Sequence, residues 1–248
     1  MTKNFDPRPV PDKNWFHSKN VALLQCLLTV GTTLASYAIA LYMGHVKLWP
    51  IPMISYCGVH PPEKFVFSIG LVCSAFLMFL FIWIIECAGK VYSSRKTAWL
   101  LGFPSSLGLM VLAVCNCEEE PNLHYIGAIT YFLTTAIYCL LCSFKELNLT
   151  KEKRTAWVTV RQFLSLVNLT FSLALGVLFA FGYQGTDWEV AFSEWTAVWA
   201  AEFYVLTFYW DLGDEFFIEQ VKEFFGMEVR DNGKYKLVYD DEFALDMD

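Results

Sequence analysis

Three ionisable residues inside apolar segments are the first candidates for chemistry in this chain. Arg161 lies within one apolar run, and Glu194 and Glu202 lie within another. A charge in hydrocarbon costs several kcal/mol unless it is paired or reaches the membrane surface. We therefore expect Arg161 and Glu202 to form an intramembrane ion pair that latches two helices together. A lipid-headgroup or ion site using Glu202 is the alternative, and Glu194 with Trp195 suits a position at the membrane interface.

The cysteines and histidines indicate neither catalysis nor a metal site. The chain has eight cysteines and four histidines, and the histidines are scattered along the sequence. This spacing is unlike that of a structural or catalytic zinc site. No nucleophile-elbow, zinc-protease or phosphate-loop motif occurs. The sequence therefore predicts a non-enzymatic protein with no catalytic residue, metal or cofactor.

The composition is typical of an integral membrane protein. Hydrophobic residues make up 56% of the 248 residues and charged residues only 17%, against roughly 25% charged residues in a soluble domain. The mean hydropathy is +0.40. A membrane-spanning helix needs roughly 20 mostly apolar residues. Six runs qualify or nearly qualify: Val21–Met43, Phe65–Cys87, Ala98–Cys117, Tyr125–Phe144, Trp157–Tyr183 and Val190–Trp210.

The distribution of Lys and Arg predicts the orientation of these spans. Fifteen of these residues fall on the side of both termini, whereas only Lys47 and Lys64 fall on the other. We therefore expect an all-α, six-helix bundle with both termini in the cytoplasm. It divides into an N-terminal segment 1–20, a transmembrane domain 21–211 and an acidic tail 212–248. The tail accounts for the formal charge of −7, so the charge says nothing about a nucleic-acid partner, and we expect none.

Three cysteines fall on the side of the membrane opposite the termini, where disulfides persist. Cys57 lies between the first two spans, and Cys115 and Cys117 lie at the end of the third span. A disulfide from Cys57 to either of the other two is one candidate arrangement. Free thiols packed at a helix end are the other.

The acidic tail carries two short patterns. Its apolar residues recur at spacings of three and four, which predicts an interfacial helix after the sixth span. These residues are Phe217, Ile218, Val221, Phe224 and Phe225. Further on, Tyr235-Lys-Leu-Val238 has the form of a tyrosine-based sorting signal, although an apolar patch gives the same pattern by chance.

The loop WPIPMISYCGVHPPE, residues 49–63, carries a spaced motif between the first two spans. Its motif residues are Pro52, Ile54, Ser55, Gly58, Pro61, Pro62 and Glu63. Two further segments open spans on the same side, one with His124 and Gly127 and the other with Glu194 and Trp195. In this order the three segments resemble the DRAM (damage-regulated autophagy modulator) family, within the wider Frag/DRAM/Sfk group. Tyr56 departs from the acidic residue usual in that family.

This resemblance implies a six-span protein of lysosomal or endosomal membranes, with the plasma membrane as the second choice, that regulates autophagy without enzymatic activity. Relatives in the wider group imply two alternatives. One is a plasma-membrane scaffold or lipid-organising protein that recruits a phosphoinositide kinase, and the other is a factor in GPI-anchor lipid remodelling. The expected partners are membrane lipids, together with sorting adaptors or a kinase complex at the cytoplasmic tail. We also expect the loop 49–63 to pack against His124 and Glu194–Trp195.

Overall fold

The computed structural model describes residues 17–87, 95–147, 156–212, 227–229 and 235–237. Eight α-helices lie in these ranges: α1 Ser18–Met43, α2 Glu63–Cys87, α3 Arg95–Thr97, α4 Phe103–Val114, α5 Pro121–Leu147, α6 Trp157–Ala180, α7 Trp188–Leu206 and α8 Phe208–Asp211. The same ranges hold a 3₁₀ turn, a π turn and an antiparallel strand pair: Ser55–Gly58, Ala98–Gly102, β1 Met227–Val229 and β2 Tyr235–Leu237.

Four of the described helices, α1, α2, α5 and α6, are long and apolar enough to cross a membrane. The π turn and α4 form a shorter apolar helix, Ala98–Val114, so the third apolar helix ends before Cys117, where the sequence prediction placed its end. α7 has 19 residues and carries the acidic side chains of Glu189, Glu194 and Glu202. The prediction of a helical multi-pass membrane protein is confirmed.

The long helices form a closed ring. α1 packs against α2 and α7, α4 packs against α2 and α5, and α6 packs against α5 and α7. Large apolar side chains such as Leu27, Ile69 and Phe163 remain more than half exposed, whereas Gln25 and Ser74 are fully buried. A ring with an apolar outside and polar groups inside suits lipid, in which helices associate through packing and hydrogen bonds.

Helices α4 and α5 cross closely, and a glycine on each helix faces the backbone of the other. A Cβ added to Gly108 would lie 2.6 Å from the Tyr131 nitrogen, and one added to Gly127 would lie 2.7 Å from the Leu112 nitrogen. Only glycine leaves room for backbones to approach this closely. Gly127, which the sequence placed among the family-like residues, therefore has a packing role.

Two predicted features of the tail fall outside the described residues. The interfacial helix over 217–225 lies entirely outside them, and so does Val238 of the sorting pattern. Tyr235 begins strand β2 and pairs with Val229 of β1. The N-terminal segment 1–20 is described only from residue 17 onward.

Candidate functional site

The loop 49–63, here called the proline loop, covers one end of the bundle between α1 and α2. Gly44 ends α1 with φ +76°, a left-handed conformation that favours glycine. The Trp49–Pro50 and Pro61–Pro62 peptide bonds are cis. Between them, the turn Ser55–Gly58 dips into the bundle, where Ser55, Cys57 and Gly58 are buried. This end of the molecule is the capped end.

Glu194 of α7 holds the proline loop with both carboxylate oxygens. Its Oε2 accepts the Ile54 backbone N–H at 2.6 Å, and its Oε1 accepts the Ser55 hydroxyl at 2.7 Å. The next residue, Trp195, donates its indole N–H to the Pro52 carbonyl at 2.8 Å. Hydrogen bonds to an ionised acceptor are shorter and stronger than neutral ones. Two successive α7 residues thus bind three residues of the loop.

The connection between α4 and α5 closes the capped end from the other side. The Asn116 amide donates to the Val59 carbonyl at 2.8 Å and accepts the Glu118 N–H at 2.7 Å. His124 Nδ1 lies 2.7 Å from the Cys115 carbonyl oxygen. His124 therefore orders the α4–α5 connection, which in turn contacts the proline loop. The described contacts place Glu194 and Trp195 directly on the loop, and His124 behind that connection.

Of the two candidate arrangements, the structure has free thiols and not the disulfide, because Cys57, Cys115 and Cys117 are all free. The Cys57 thiol donates to the Met53 carbonyl at 3.3 Å, and the Cys117 thiol donates to the Ser55 carbonyl at 3.7 Å. Burial, followed by the nearby Glu194 carboxylate, raises the pKa of both thiols, that of Cys117 to about 12. Both side chains therefore act as neutral thiols that satisfy backbone carbonyls.

Glu63, the last residue of the loop and the first of α2, makes the other buried carboxylate contact. Its Oε1 lies 2.5 Å from His45 Nδ1, and its side chain is 1% exposed. The His45 ring packs edge-on against His60, with 4.9 Å between the ring centroids. A carboxylate at a helix N-terminus is also stabilised by the helix dipole. This pair fixes the start of α2 against the end of α1.

A cleft of about 380 Å³ opens beside the proline loop. Prolines and Tyr56 supply its apolar walls, and its polar groups are His45, Lys47, His60 and Glu118. This volume falls within the roughly 300–1,000 Å³ of small-ligand sites, which combine apolar walls with a few polar groups. Sequence reasoning did not group these four residues. Their only shared signal was that each follows or precedes a predicted span on the same side.

The predicted Arg161–Glu202 pair is wrong. Arg161 Nε donates to Glu146 Oε2 at 3.0 Å, and its Nη2 donates to Asp211. Its guanidinium also lies over the Phe208 ring, 4.3 Å from the centroid. Glu202 instead accepts a hydrogen bond from the Gln25 amide, at 3.4 Å. Glu146, at the end of α5, and Asp211, after α7, lie at the same level along the bundle as Arg161. Glu202 lies nearer the bundle centre.

The polar groups nearest Glu194 at the capped end are engaged within the protein. Glu194 uses both oxygens on the loop, and the thiols beside it are neutral. In the described ranges, no three His, Cys, Asp or Glu side chains converge as a metal site. What the geometry offers a partner is the cleft, with one cationic, one anionic and two imidazole groups at its edge.

Comparison with known proteins places this arrangement in a family. The family model described as Frag1/DRAM/Sfk1/Cwh43P N-terminal domain matches residues 17–215. Transmembrane protein 150A of Homo sapiens is 27% identical over 169 residues, which are 66% of this chain and 62% of that protein. DNA damage-regulated autophagy modulator protein 1 of Xenopus laevis is 26% identical over 216 residues, which are 77% of this chain and 90% of that protein.

The chain thus spans less than two thirds of the length of transmembrane protein 150A. No solved structure matches it. The matched residues 17–215 include the helices of the ring, the proline loop, the Glu194 contact and the Arg161 cluster. The chain belongs to the Frag1/DRAM/Sfk1/Cwh43P family.

Proposed function

We propose that this protein is a non-enzymatic, multi-pass membrane regulator of autophagy and lysosomal function. The observation that carries the proposal is that the family-like residues bind other parts of the protein. Glu194, Trp195 and Ser55 hold the proline loop in place, and no nucleophile is paired with a base among the capped-end contacts described above. The name of the Xenopus relative, an autophagy modulator, supports the process.

The same proposal includes six spans with both termini in the cytoplasm. The segment Ala98–Val114 has a length of about 26 Å at 1.5 Å per residue, and α7 with α8 extends further. The glutamates that lower the apolar character of α7 include the buried Glu194 and Glu202, so they do not face lipid. The excess of Lys and Arg on the side of the termini supports a lumenal or exterior capped end.

The partner that we propose for the cleft is the headgroup of a membrane lipid. The cleft lies at the end of a membrane bundle, where headgroups are found. Lys47 and the imidazoles of His45 and His60 offer donors to a phosphate, and Tyr56 and the prolines offer apolar contact. Lysosomal and endosomal membranes are the proposed location, because one relative is named as an autophagy modulator.

The test is complementation in cells that lack this protein. Tagged wild type and the control Glu189→Gln should reach endolysosomal membranes and restore autophagic flux. Glu194→Ala, which releases the proline loop, should reach the same membranes but restore much less flux. Lys47→Ala, a surface change in the cleft, should reduce lipid binding by the purified protein while leaving its fold intact.

Two outcomes would overturn the proposal in favour of its alternatives. The first is plasma-membrane location with unchanged flux, together with co-purification of a phosphoinositide kinase that is lost when the chain is truncated after Leu212. The second is a defect in the lipid of GPI-anchored surface proteins in the cells that lack the protein.

A further inference from the structure

Two buried glutamates of α7 have different surroundings. Glu194 receives two short hydrogen bonds, one on each oxygen. Glu202, eight residues further along the helix, is 2% exposed. Its Oε1 accepts one long hydrogen bond of 3.4 Å from Gln25, and its Oε2 has no hydrogen-bond partner among the described residues. The structure stabilises a negative charge on Glu194 far better than on Glu202.

No cation of the described residues faces Glu202. From α1 it meets Gln25, Cys26 and Thr29, and from α5 it meets Tyr131 and Cys139. The one arginine of the neighbouring α6 is bound to Glu146 and Asp211. An ionised carboxylate at this depth would therefore be uncompensated, and such a charge costs several kcal/mol.

Tyr131 connects the surroundings of the two glutamates. A cavity of about 10 Å³ is lined by Glu202, Gln25 and Tyr131, and a second of about 20 Å³ is lined by Glu194, Ser55 and Tyr131. The Tyr131 hydroxyl and the side-chain amide oxygen of Gln25 are buried without a hydrogen-bond partner in the described part of the chain. Each cavity is about the size that holds one water molecule. The walls are mostly apolar, and the polar partners that a water needs are Tyr131 with Glu202 and Gln25 in the first cavity, and Tyr131 with Glu194 and Ser55 in the second.

We propose that Glu202 is a proton-binding site inside the bundle and that its proton exchanges with the capped end through the Tyr131 hydroxyl. Binding a proton removes the uncompensated charge and gives the Glu202 carboxyl an O–H that donates into its cavity. In the exchange step, a hydronium ion that enters beside Glu194 from the capped end gives its proton to the Tyr131 oxygen and becomes water, and Tyr131 releases its own hydroxyl proton to water beside Glu202. That water then protonates Glu202 Oε2. The net change is the transfer of one proton, and the Tyr131 hydroxyl is regenerated.

This site gives the bundle a response to the pH at its capped end. Protonated Glu202 is neutral and lets α1, α5 and α7 pack around it. Loss of the proton places a charge among Gln25, Thr29 and Tyr131 and favours any rearrangement that admits water or a cation. The inference does not depend on which membrane the protein occupies.

The test is infrared spectroscopy of the purified full chain in lipid nanodiscs. At neutral pH the wild type should show the carbonyl stretch of a protonated carboxylic acid, and this band should shift in D₂O. Glu202→Gln should remove the band, whereas Glu189→Gln should leave it. Absence of the band from the wild type, its persistence in Glu202→Gln, or its removal by sodium ions at constant pH would each overturn the proposal.

A second arm keeps Glu202 and tests the route. Tyr131→Phe should retain the band but slow its hydrogen–deuterium exchange by about tenfold or more. Tyr138→Phe is the matched control, because Tyr138 lies on the same helix and lines only the cavity beside Glu202. Equal exchange rates in the two variants would overturn the route through Tyr131, even if the Glu202→Gln protein failed to fold.

Discussion

Replacement of Glu194 by alanine tests whether the capped end is held by one carboxylate. The substitution removes the acceptor of the Ile54 N–H and of the Ser55 hydroxyl, which lie 2.6 and 2.7 Å from its oxygens. Both donors are buried in the wild type. In the variant, the Ile54 N–H and the Ser55 hydroxyl must remain buried without acceptors, or this part of the proline loop must leave the bundle to reach water. We expect the second outcome, because residues 52–55 of the loop are bound chiefly by α7.

The size of the effect follows from the two hydrogen bonds. A hydrogen bond to a charged group contributes about 1.5–3 kcal/mol, so losing both lowers the free energy of local opening by about 3–6 kcal/mol. Every 1.4 kcal/mol is a factor of about ten in an equilibrium constant. Amide exchange at residues 53–59 should therefore accelerate by about 10²- to 10⁴-fold, provided that opening and closing are fast relative to exchange.

Hydrogen exchange of the purified protein, read by mass spectrometry of loop peptides, measures this directly. Glu189→Gln is the control, because it removes a charge from the same helix without a contact to the loop among the described hydrogen bonds. It should change loop exchange by less than about tenfold. If Glu194→Ala changes loop exchange no more than Glu189→Gln does, the carboxylate does not hold the loop, and our account of the capped end is wrong.

Three further predictions concern helix contacts and a thiol. Arg161→Leu leaves two buried carboxylates without their cation and should destabilise the solubilised protein by about 3–5 kcal/mol, with coupling to Glu146→Gln in a double-mutant cycle. Gly127→Ala should lower the thermal midpoint, because its Cβ meets an α4 backbone nitrogen at 2.7 Å, whereas Gly176→Ala, with open space around it, should not. The Cys117 thiol, with its pKa raised to about 12 by burial, should alkylate no faster when neutral buffer is made mildly alkaline.

Each of these three predictions can be contradicted by a specific result. A thermal midpoint unchanged by Arg161→Leu would mean that the desolvation of the cluster cancels its attraction. Equal midpoints for the two glycine variants would contradict the close crossing of α4 and α5. A peptide that links Cys117 to another cysteine under non-reducing conditions would contradict the free thiol.

The sequence predicted the parts of this fold that follow from local patterns. Apolar runs located the long helices, because a span must be apolar over its whole length. Every second connection between antiparallel helices lies at the same end of a bundle. For this reason the sequence predicted that the proline loop would contact Glu194 and Trp195. The Pro52 and Ser55 contacts with these residues are the result.

The hydrogen-bond partners of the buried charged and thiol side chains could not be predicted from the sequence. Arg161 was expected to bind Glu202 because both lie in neighbouring spans, but a difference of about two to three helical turns decides whether Glu202 or Asp211 is reached. Glu146 and Asp211 sit at helix ends that the sequence delimits only to within a few residues. Likewise, Cys57 and Cys117 share the capped end, yet each thiol is directed to a backbone carbonyl.

α7 and the residues that follow it make contacts at both ends of the bundle. At the capped end it holds the proline loop through Glu194, and at the other end Thr207 and Asp211, which follow it, bind Arg161. Glu202 lies between these ties, about 12 Å from Glu194 and about 13 Å from Asp211 along the helix at 1.5 Å per residue. Because both ends are fixed by hydrogen bonds to charged groups, a change of charge at Glu202 acts on a helix that cannot slide freely. We therefore expect its effect to appear at one of these two sets of contacts, either that of Glu194 and Trp195 with the proline loop or that of Thr207 and Asp211 with Arg161.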